Sequence, residues 1–168
     1  SNGHVDLPSA KFTIPQSRFQ SAIRSGDFVV TAEVMPPKGG DPSHMMEMAA
    51  HLKDWVHAVN VTDGSRAVLR MSSLACSVLL KQAGIEPICQ MTGRDRNAIA
   101  LQSDLMGAHA LGVRNVLALT GDPIKAGDHI KSKPVHELES IRLLRVIRQL
   151  NGGLDYNDKE MQDGAPSI

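Results

Sequence analysis

The sequence predicts an α/β fold built on a parallel sheet, and three observations lead to that prediction. Four short apolar segments return about every 30 residues, which is the spacing of a repeated supersecondary unit. Each segment is followed by a loop and a helical pattern, so the unit is strand–loop–helix. A polar cluster ends each segment, at the edge where parallel α/β folds build their binding sites. The predicted strands are residues 28–33, 58–63, 87–92 and 116–122.

Composition narrows the class of protein. The chain has 168 residues, enough for one domain with its own core, and 18 basic residues balance 18 acidic ones. A neutral chain with 3% aromatic residues favours neither nucleic acid nor an anionic membrane as partner. No apolar run reaches the roughly 20 residues of a membrane helix, and the amino terminus lacks a signal-peptide pattern. The two cysteines and seven histidines show no metal-ligand spacing, so we expect a cytoplasmic protein without a metal site.

Breakers and caps delimit the first elements. Residues 1–16 hold two prolines and no sustained period, which predicts an extended arm ahead of one domain over residues 17–168. A short helix over residues 17–25 is closed by Gly26. After the first strand, Asp41 caps a helix that has proline at its first position. The residues predicted to face inward from this helix are Met45, Met48, Ala49, Leu52 and Val56.

The second and third units each pair a strand with a helix. The helix of the second unit begins near Ser72 or Ser73 and ends at Gly84. In the third unit Asp95 is the predicted cap, and Gly112 follows the helix. The predicted inward residues are Ala75, Val78, Leu79 and Ala83 in the second unit and Ala98, Leu101, Leu105 and Ala108 in the third.

The fourth unit has a longer loop before its helix, which Gly152 ends. The predicted inward residues are Leu138, Ile141, Leu144 and Ile147. The acidic tail that follows ends in residues 165–168, which are interpreted as the beginning of another strand. Four units are half of the eight that a closed barrel needs, and four strands alone leave two open edges. We therefore expect a fragment, with an open sheet or a barrel shared by two copies as the alternatives.

Two carboxylates at strand ends are candidates for chemistry. Glu33 ends an apolar strand, and hydrophobic surroundings favour a protonated carboxyl, which suits general-acid work. A solvated strand-end glutamate is the alternative. Asp122 follows Gly121, which lets a ligand approach the backbone, although Gly-Asp-Pro is also ordinary turn chemistry. The regular recurrence of polar residues supports the functional interpretation, because other strands carry them at equivalent ends: Thr62, Gln90 and Thr92.

Residues 94–97 read Arg-Asp-Arg-Asn directly before a helix. The two arginines and the amides of the helix terminus are suited to receive a phosphate group. The alternative is that Asp95 caps the helix while the arginines face water.

Five segments together carry a resemblance to a known family. They are residues 31–37 (TAEVMPP), 60–64 (NVTDG), 90–97 (QMTGRDRN), 101–108 (LQSDLMGA) and 112–123 (GVRNVLALTGDP). With these motifs in family order and spacing, the sequence from about Ser17 onward resembles the methylenetetrahydrofolate reductase family. It is most similar to the branch that carries the Arg-Asp-Arg-Asn and Leu-Thr-Gly-Asp versions.

The resemblance implies a TIM-type (βα)8 barrel, of which this chain holds about the first four strand–helix units. It implies FAD at the carboxyl ends of the strands and NADH or NADPH as electron donor. The flavin passes hydride to 5,10-methylenetetrahydrofolate and yields 5-methyltetrahydrofolate, a step of one-carbon metabolism that leads to methionine. The implied partners are the folate substrate and either further copies of the chain or the missing half of the barrel.

Site residues follow from the resemblance position by position. Glu33 matches the family's general acid, and Asp122 matches the acidic residue beside the flavin and the pterin. The implied cofactor-binding residues are Thr62, Asp63, Gln90, Thr92, Thr120, Gly121 and Val135. Gln90 stands where many members have His, Thr120 where many have Arg, and Asp63 replaces a Tyr. These exchanges remove a charge and a stacking ring, so we expect flavin contacts that differ from those of other members.

Two other functions stay open at the level of sequence. One is a non-catalytic half-barrel that binds or assembles with a second copy or a partner. The other is an unrelated phosphate-binding α/β enzyme, for which Arg94 and Arg96 would be the anchors.

Overall fold

A computed structural model describes residues 17–168, and these form four strand–helix units on one sheet. The predicted arm at residues 1–16 lies outside the described residues. The strands are β1 (Thr31–Val34), β2 (Ala58–Val61), β3 (Pro87–Thr92) and β4 (Asn115–Leu119). The helices are α1 (Arg18–Arg24), α2 (Ser43–Leu52), α3 (Ser73–Gln82), α4 (Ala98–Ala110) and α5 (Ser140–Asn151). Short 3-10 turns at Ser65–Ala67 and Ile124–Ala126 follow β2 and β4.

The sheet has the order β1-β2-β3-β4 and is parallel at every pairing. The helices α2, α3 and α4 each connect one strand to the next in the same direction, as a parallel pair requires. The predicted α/β fold with a parallel sheet is therefore confirmed, and it is consistent with part of a TIM-type barrel.

Two apolar clusters join one face of the sheet to the helices. The first lies between β1, β2, α2 and α3 and contains Val34, Met45, Ala49, Val59, Val61, Cys76, Leu80 and Ile85. The second contains residues of β3, β4, α4 and α5, among them Cys89, Met91, Leu101, Leu105, Val113, Leu143, Val146 and Leu150. Each cluster thus holds one of the two free cysteines. Burial raises the pKa of Cys76 to about 11, and it raises the pKa of Cys89 as well.

Three of the four strands differ in extent from the predicted ones, and the second of them ends at Val61 rather than at residue 63. The first strand covers residues 31–34 rather than 28–33, and Phe28 is 89% exposed. The ladder with β2 starts at Thr31 beside Ala58, and just before it the N–H of His57 donates to the carbonyl oxygen of Val30 at 2.8 Å. The fourth strand ends at Leu119, short of the predicted residue 122, and Gly121 has a φ of +94° that no strand residue adopts.

The inward face of α3 differs from the predicted one, although Val78 packs against the second cluster as predicted. Its buried residues are Ser73, Cys76, Ser77 and Leu80, whereas Ala75 and Ala83 are exposed and Val78 and Leu79 are half-buried. The sequence pattern missed this face because two of its members are serines. The Ser73 hydroxyl donates to the carbonyl oxygen of Gln90 at 2.7 Å, so its burial leaves that donor satisfied.

The apolar stripe of α5 also differs from the predicted one. The helix buries Leu143, Val146, Ile147 and Leu150, the spacing of one helical face. Ile141 and Leu144 are 59% and 53% exposed, so these two predicted positions are wrong. Leu138 is fully buried, but it precedes the helix. In α2, Met45 and Ala49 are buried as predicted, Leu52 and Val56 pack at the edge of the cluster, and Met48 is exposed.

Helix caps follow the predictions in part. The helix α3 begins at Ser73, within the predicted range, and Ser72 caps it by accepting the N–H of Ala75. For α4 the cap is Asn97, which accepts the N–H of Ala100 at 3.0 Å, and the predicted cap Asp95 is engaged elsewhere. The carboxylate of Asp41 accepts the N–H of Ser43 as a cap would, although α2 begins one residue after the predicted proline.

Residues 165–168 form no strand. The side-chain amide of Asn151 donates to the Ile168 carbonyl oxygen at 2.9 Å and accepts its N–H at 3.1 Å. One side chain thereby occupies both backbone groups of Ile168, as a ladder partner would.

The loop between β4 and α5 packs closely against Gly93, and a substitution at this glycine tests that contact. A Cβ at this position would lie 1.7 Å from the carbonyl oxygen of Leu138. We expect Gly93→Ala to lower the free energy of unfolding by about 3 kcal/mol, because backbone must move to relieve the overlap. Denaturant unfolding measures the loss. Gly39→Ala is the control, since no atom lies within 4 Å of its Cβ and its change should stay within about 0.5 kcal/mol. Equal stability of the two variants would contradict the close approach.

Candidate functional site

The polar strand ends share the face of the sheet opposite to the two apolar clusters. Val34 and Val61 are register neighbours inside the first cluster. Side chains alternate between the faces of a strand, so Glu33 and its register neighbour Asn60 point the other way. The same alternation places the following polar residues on this second face: Thr62, Gln90 and Thr92.

A cavity of about 220 Å³ opens at the carboxyl ends of the strands. Six of the nine predicted site residues line it, as the convergence of successive loops requires. Its lining is Asp63, Gly64, Ser65, Gln90, Thr92, Leu119, Thr120, Gly121 and Asp122. A second cavity of about 300 Å³ shares Asp63 and Gly64 with the first, so these two residues form the wall between the cavities.

Asp63 ties the end of β2 to the end of β3. Its buried carboxylate accepts the N–H of Thr92 at 2.9 Å and pairs with Arg96 at 3.1 Å. Burial raises the pKa of Asp63, and the Arg96 charge and the Thr92 hydrogen bond oppose that rise. The same arginine reaches Asp104 on α4 at 3.2 Å. Asp63 thus lines the cavity as predicted and in addition holds two strand ends in place.

Arg94 is buried and fully engaged. Its guanidinium binds both carboxylate oxygens of Asp95 at 2.8 Å and donates to the carbonyl oxygens of Gly64 and Asp122 at 3.1 and 3.2 Å. This bidentate contact raises the pKa of Arg94 and lowers the pKa of Asp95. Because Arg94 and Arg96 both have acidic partners, the geometry does not favour their use as phosphate anchors.

The Asp122 carboxylate holds a strained loop. It accepts the N–H of Arg66 at 2.7 Å. Arg66 and Ala67 have φ values of 57° and 55°, a left-handed conformation that side-chain-bearing residues rarely adopt. Asp128 accepts the N–H of Leu69 at 3.1 Å, so the loop after β4 fastens the loop after β2 at two points.

Three predicted residues have surroundings that the sequence did not indicate. Glu33 lies on the predicted face but is exposed, so the described residues do not provide the apolar enclosure expected for it. Thr120 accepts the N–H of Ser140 at 3.3 Å, which places its hydroxyl at the start of α5 as well as in the cavity lining. Val135 lies outside both of these cavities.

Val135 acts through its backbone. Its N–H donates to the carbonyl oxygen of Arg94 at 2.6 Å, and the next N–H donates to Gly93. The loop after β4 is thereby paired with the loop after β3. The predicted cofactor contact of the Val135 side chain stays a prediction.

Two threonine hydroxyls stand out within the described residues. The side-chain oxygens of Thr62 and Thr92 are buried, and no protein atom of residues 17–168 bonds to them. Buried hydroxyls are normally bonded, and an orphan of this kind at a cavity marks a place for a ligand or water. Thr92 lines the 220 Å³ cavity, whereas Thr62 lies outside its lining. Gly121 adjoins Thr92 so closely that a Cβ would lie 3.0 Å from the threonine Cβ.

The loop after β2 contributes to the site in a way that the sequence did not indicate. Gly64 and Arg66 contribute through backbone groups, which leave no side-chain pattern to read, and Ser65 lines the cavity. The one available signal was the Asp-Gly pair at residues 63–64, which predicts a turn.

A comparison with known families identifies the family of this chain. Residues 18–160 match the family model described as methylenetetrahydrofolate reductase, which covers most of the chain. The chain belongs to the methylenetetrahydrofolate reductase family. This membership supports a folate-related reductase function and places the chain among oxidoreductases. A comparison with curated proteins finds no match.

Two structural findings bear on other classes of site. Over residues 17–168, no helix of this reductase-family chain has the length and apolarity needed to cross a bilayer. The same residues contain no group of three or more His, Cys, Asp or Glu side chains arranged to hold a metal ion.

The Arg94–Asp95 pair predicts a pH dependence of stability. Because the pKa of folded Asp95 lies below its ordinary value of 3.8, ionised Asp95 stabilises the fold. This contribution is complete above the ordinary value and is lost as pH falls through the folded value. We expect Asp95→Asn to be less stable than the parent protein at neutral pH, with the difference shrinking below about pH 4. Urea unfolding across this range measures it. The exposed Asp54→Asn is the control, and a deficit that persists undiminished in acid would contradict the assignment.

Proposed function

We propose that this protein reduces 5,10-methylenetetrahydrofolate to 5-methyltetrahydrofolate, with bound FAD as the hydride carrier and NADH or NADPH as its electron source. This chain would supply the amino-terminal half of the catalytic barrel. The observation that carries the proposal is the convergence of Gln90, Thr92, Gly121 and Asp122 on one cavity in a member of this family.

The residues at this cavity fit a flavin. A flavin has a flat ring with polar edges, so it needs bare backbone to lie against and a few bonding groups. Gly121 has no side chain and a φ of +94° at the cavity wall. The bonding groups at this cavity are the orphaned hydroxyl of Thr92 and the amide of Gln90, while the orphaned Thr62 hydroxyl lies on the same sheet face but outside the cavity lining.

The chain's own residues would bind and orient the ring. Gln90 replaces the charged or chargeable group of other members with a neutral amide, which donates and accepts at once. The position of Thr92 is fixed by its backbone N–H, which donates to the Asp63 carboxylate. A bound flavin supplies hydride transfer, and the protein supplies position and electrostatics.

Glu33 and Asp122 would act on the folate. Glu33 would give its carboxyl proton to the ring nitrogen that leaves as the imidazolidine ring opens, which generates the cationic iminium. The Asp122 carboxylate would stabilise that positive charge. Since Glu33 is exposed on the sheet face, bound rings must exclude water from it.

Flavin content and flavin reduction test the proposal directly. The protein expressed from its complete gene should purify with a flavin absorbance spectrum, and NADH or NADPH should bleach it without oxygen. Added methylenetetrahydrofolate should restore the oxidised spectrum. A correctly folded but colourless protein that takes up no added FAD would overturn the proposal. If that protein also sizes as a defined dimer, the non-catalytic assembly module is favoured.

Glu33→Gln separates the two half-reactions. We expect the rate of folate reduction to fall by about 10²- to 10⁴-fold, because the amide cannot donate the proton. Flavin reduction by the nicotinamide should keep its rate, since it needs no general acid at this position. Stopped-flow absorbance follows both steps. Glu47→Gln, on the exposed part of α2, should change neither rate. If folate reduction survives in Glu33→Gln, the role given to Glu33 is wrong.

A further inference from the structure

Arg94 joins the loops that follow three consecutive strands. It lies in the loop after β3, and one guanidinium nitrogen, Nη1, donates both to Gly64 after β2 and to Asp122 after β4. The Arg94 side chain is about 4% exposed, and the other two nitrogens are occupied by Asp95. Four hydrogen bonds to three partners are therefore made by a single buried side chain.

The glycines around Arg94 leave it the space it occupies. A Cβ on Gly64 would lie 2.5 Å from Nη2 of the guanidinium, and a Cβ on Gly121 would lie 3.0 Å from the Cβ of Arg94. Both glycines have positive φ values, 55° and 94°. The backbone on either side of Arg94 is thus shaped to accept this side chain in this one place.

Hydrogen bonds link Asp122 to Arg94 directly through the Asp122 carbonyl oxygen and indirectly through its carboxylate. Its carbonyl oxygen is bonded directly to Nη1. Its carboxylate is bonded to the N–H of Arg66, in the loop that the same Nη1 holds through Gly64. Releasing the guanidinium would remove the contact that holds the Asp122 backbone and one of the contacts that hold the strained loop with the carboxylate's partner.

We propose that Arg94 is a positioning residue that holds the Asp122 carboxylate against the flavin and thereby lowers the reduction potential of the flavin. This inference rests on the proposed function. A fixed negative charge beside the ring disfavours the uptake of electrons, and its effect falls with distance. A carboxylate that moves toward solvent therefore lets the potential rise.

The observed contacts require the several nitrogen donors of the planar guanidinium, and its positive charge alone would not make them. Lysine would keep the positive charge but has one nitrogen and cannot bind two oxygens of Asp95 together with two carbonyl oxygens. Arg94→Lys thus removes the positioning while leaving the net charge of the site unchanged.

The test is a double-mutant cycle on the flavin-loaded protein from its complete gene. The reduction potential is measured by equilibration with a reference dye for the parent protein, Arg94→Lys, Asp122→Asn and the double variant. We expect Arg94→Lys to raise the potential by at least about half the shift caused by Asp122→Asn, and the double variant to equal Asp122→Asn. Additive shifts, or no shift in Arg94→Lys, would overturn the inference.

Arg114→Lys is the matched control. Arg114 is a half-buried arginine bonded to His109 at the amino end of β4, opposite to the site, and its exchange should leave the potential unchanged. If Arg94→Lys does not fold, Gly64→Ala displaces the guanidinium without altering any charge and should raise the potential in the same direction. An unshifted potential in Gly64→Ala then overturns the inference. Parent protein that binds no flavin instead overturns the proposed function, and the inference with it.

Discussion

The parallel register of the four strands is the constraint on which the arrangement of the site depends. Parallel pairing brings equivalent strand ends to one edge, and the alternation of side chains then sorts them by face. With Val34 beside Val61 in an apolar cluster, Glu33 and Asn60 must share the other face. A slip of one residue would exchange the two sets and bury the carboxylate of Glu33 among the helices.

The buried ions at the strand ends reinforce this register. Placing the Asp63 carboxylate inside the protein costs several kcal/mol, which only a well-matched set of partners offsets. Arg96 and the N–H of Thr92 are those partners, and the second of them exists only when β2 and β3 stand in the observed register. Arg94 extends the same network to the loop after β4. Polar bonding therefore specifies the loop positions, while apolar burial supplies most of the stability.

The repeat and its polar strand ends were enough to predict the parallel sheet, the order of elements and four of the residues that line the cavity, Gln90, Thr92, Gly121 and Asp122. Asp63 and Thr120 followed only from the family resemblance. The buried face of α3 was not predictable from apolar periodicity, because Ser73 and Ser77 are buried with backbone or thiol neighbours. Asp95 was a reasonable cap by residue type, but the adjacent Arg94 occupies its carboxylate and Asn97 takes its place. The Asp63–Arg96 pair links positions 33 residues apart, and no local pattern signals such a contact.

The division of the cysteines between the two apolar clusters has a consequence for how the fold opens. Cys76 and Cys89 are the chain's only thiols, and they lie in different clusters. Burial suppresses the thiolate form of both. The alkylation rate of each thiol therefore reports how often its own cluster becomes exposed to solvent. Matching rates at the two sites would mean that both halves of the sheet open as one cooperative unit, and unequal rates would identify the half that opens first.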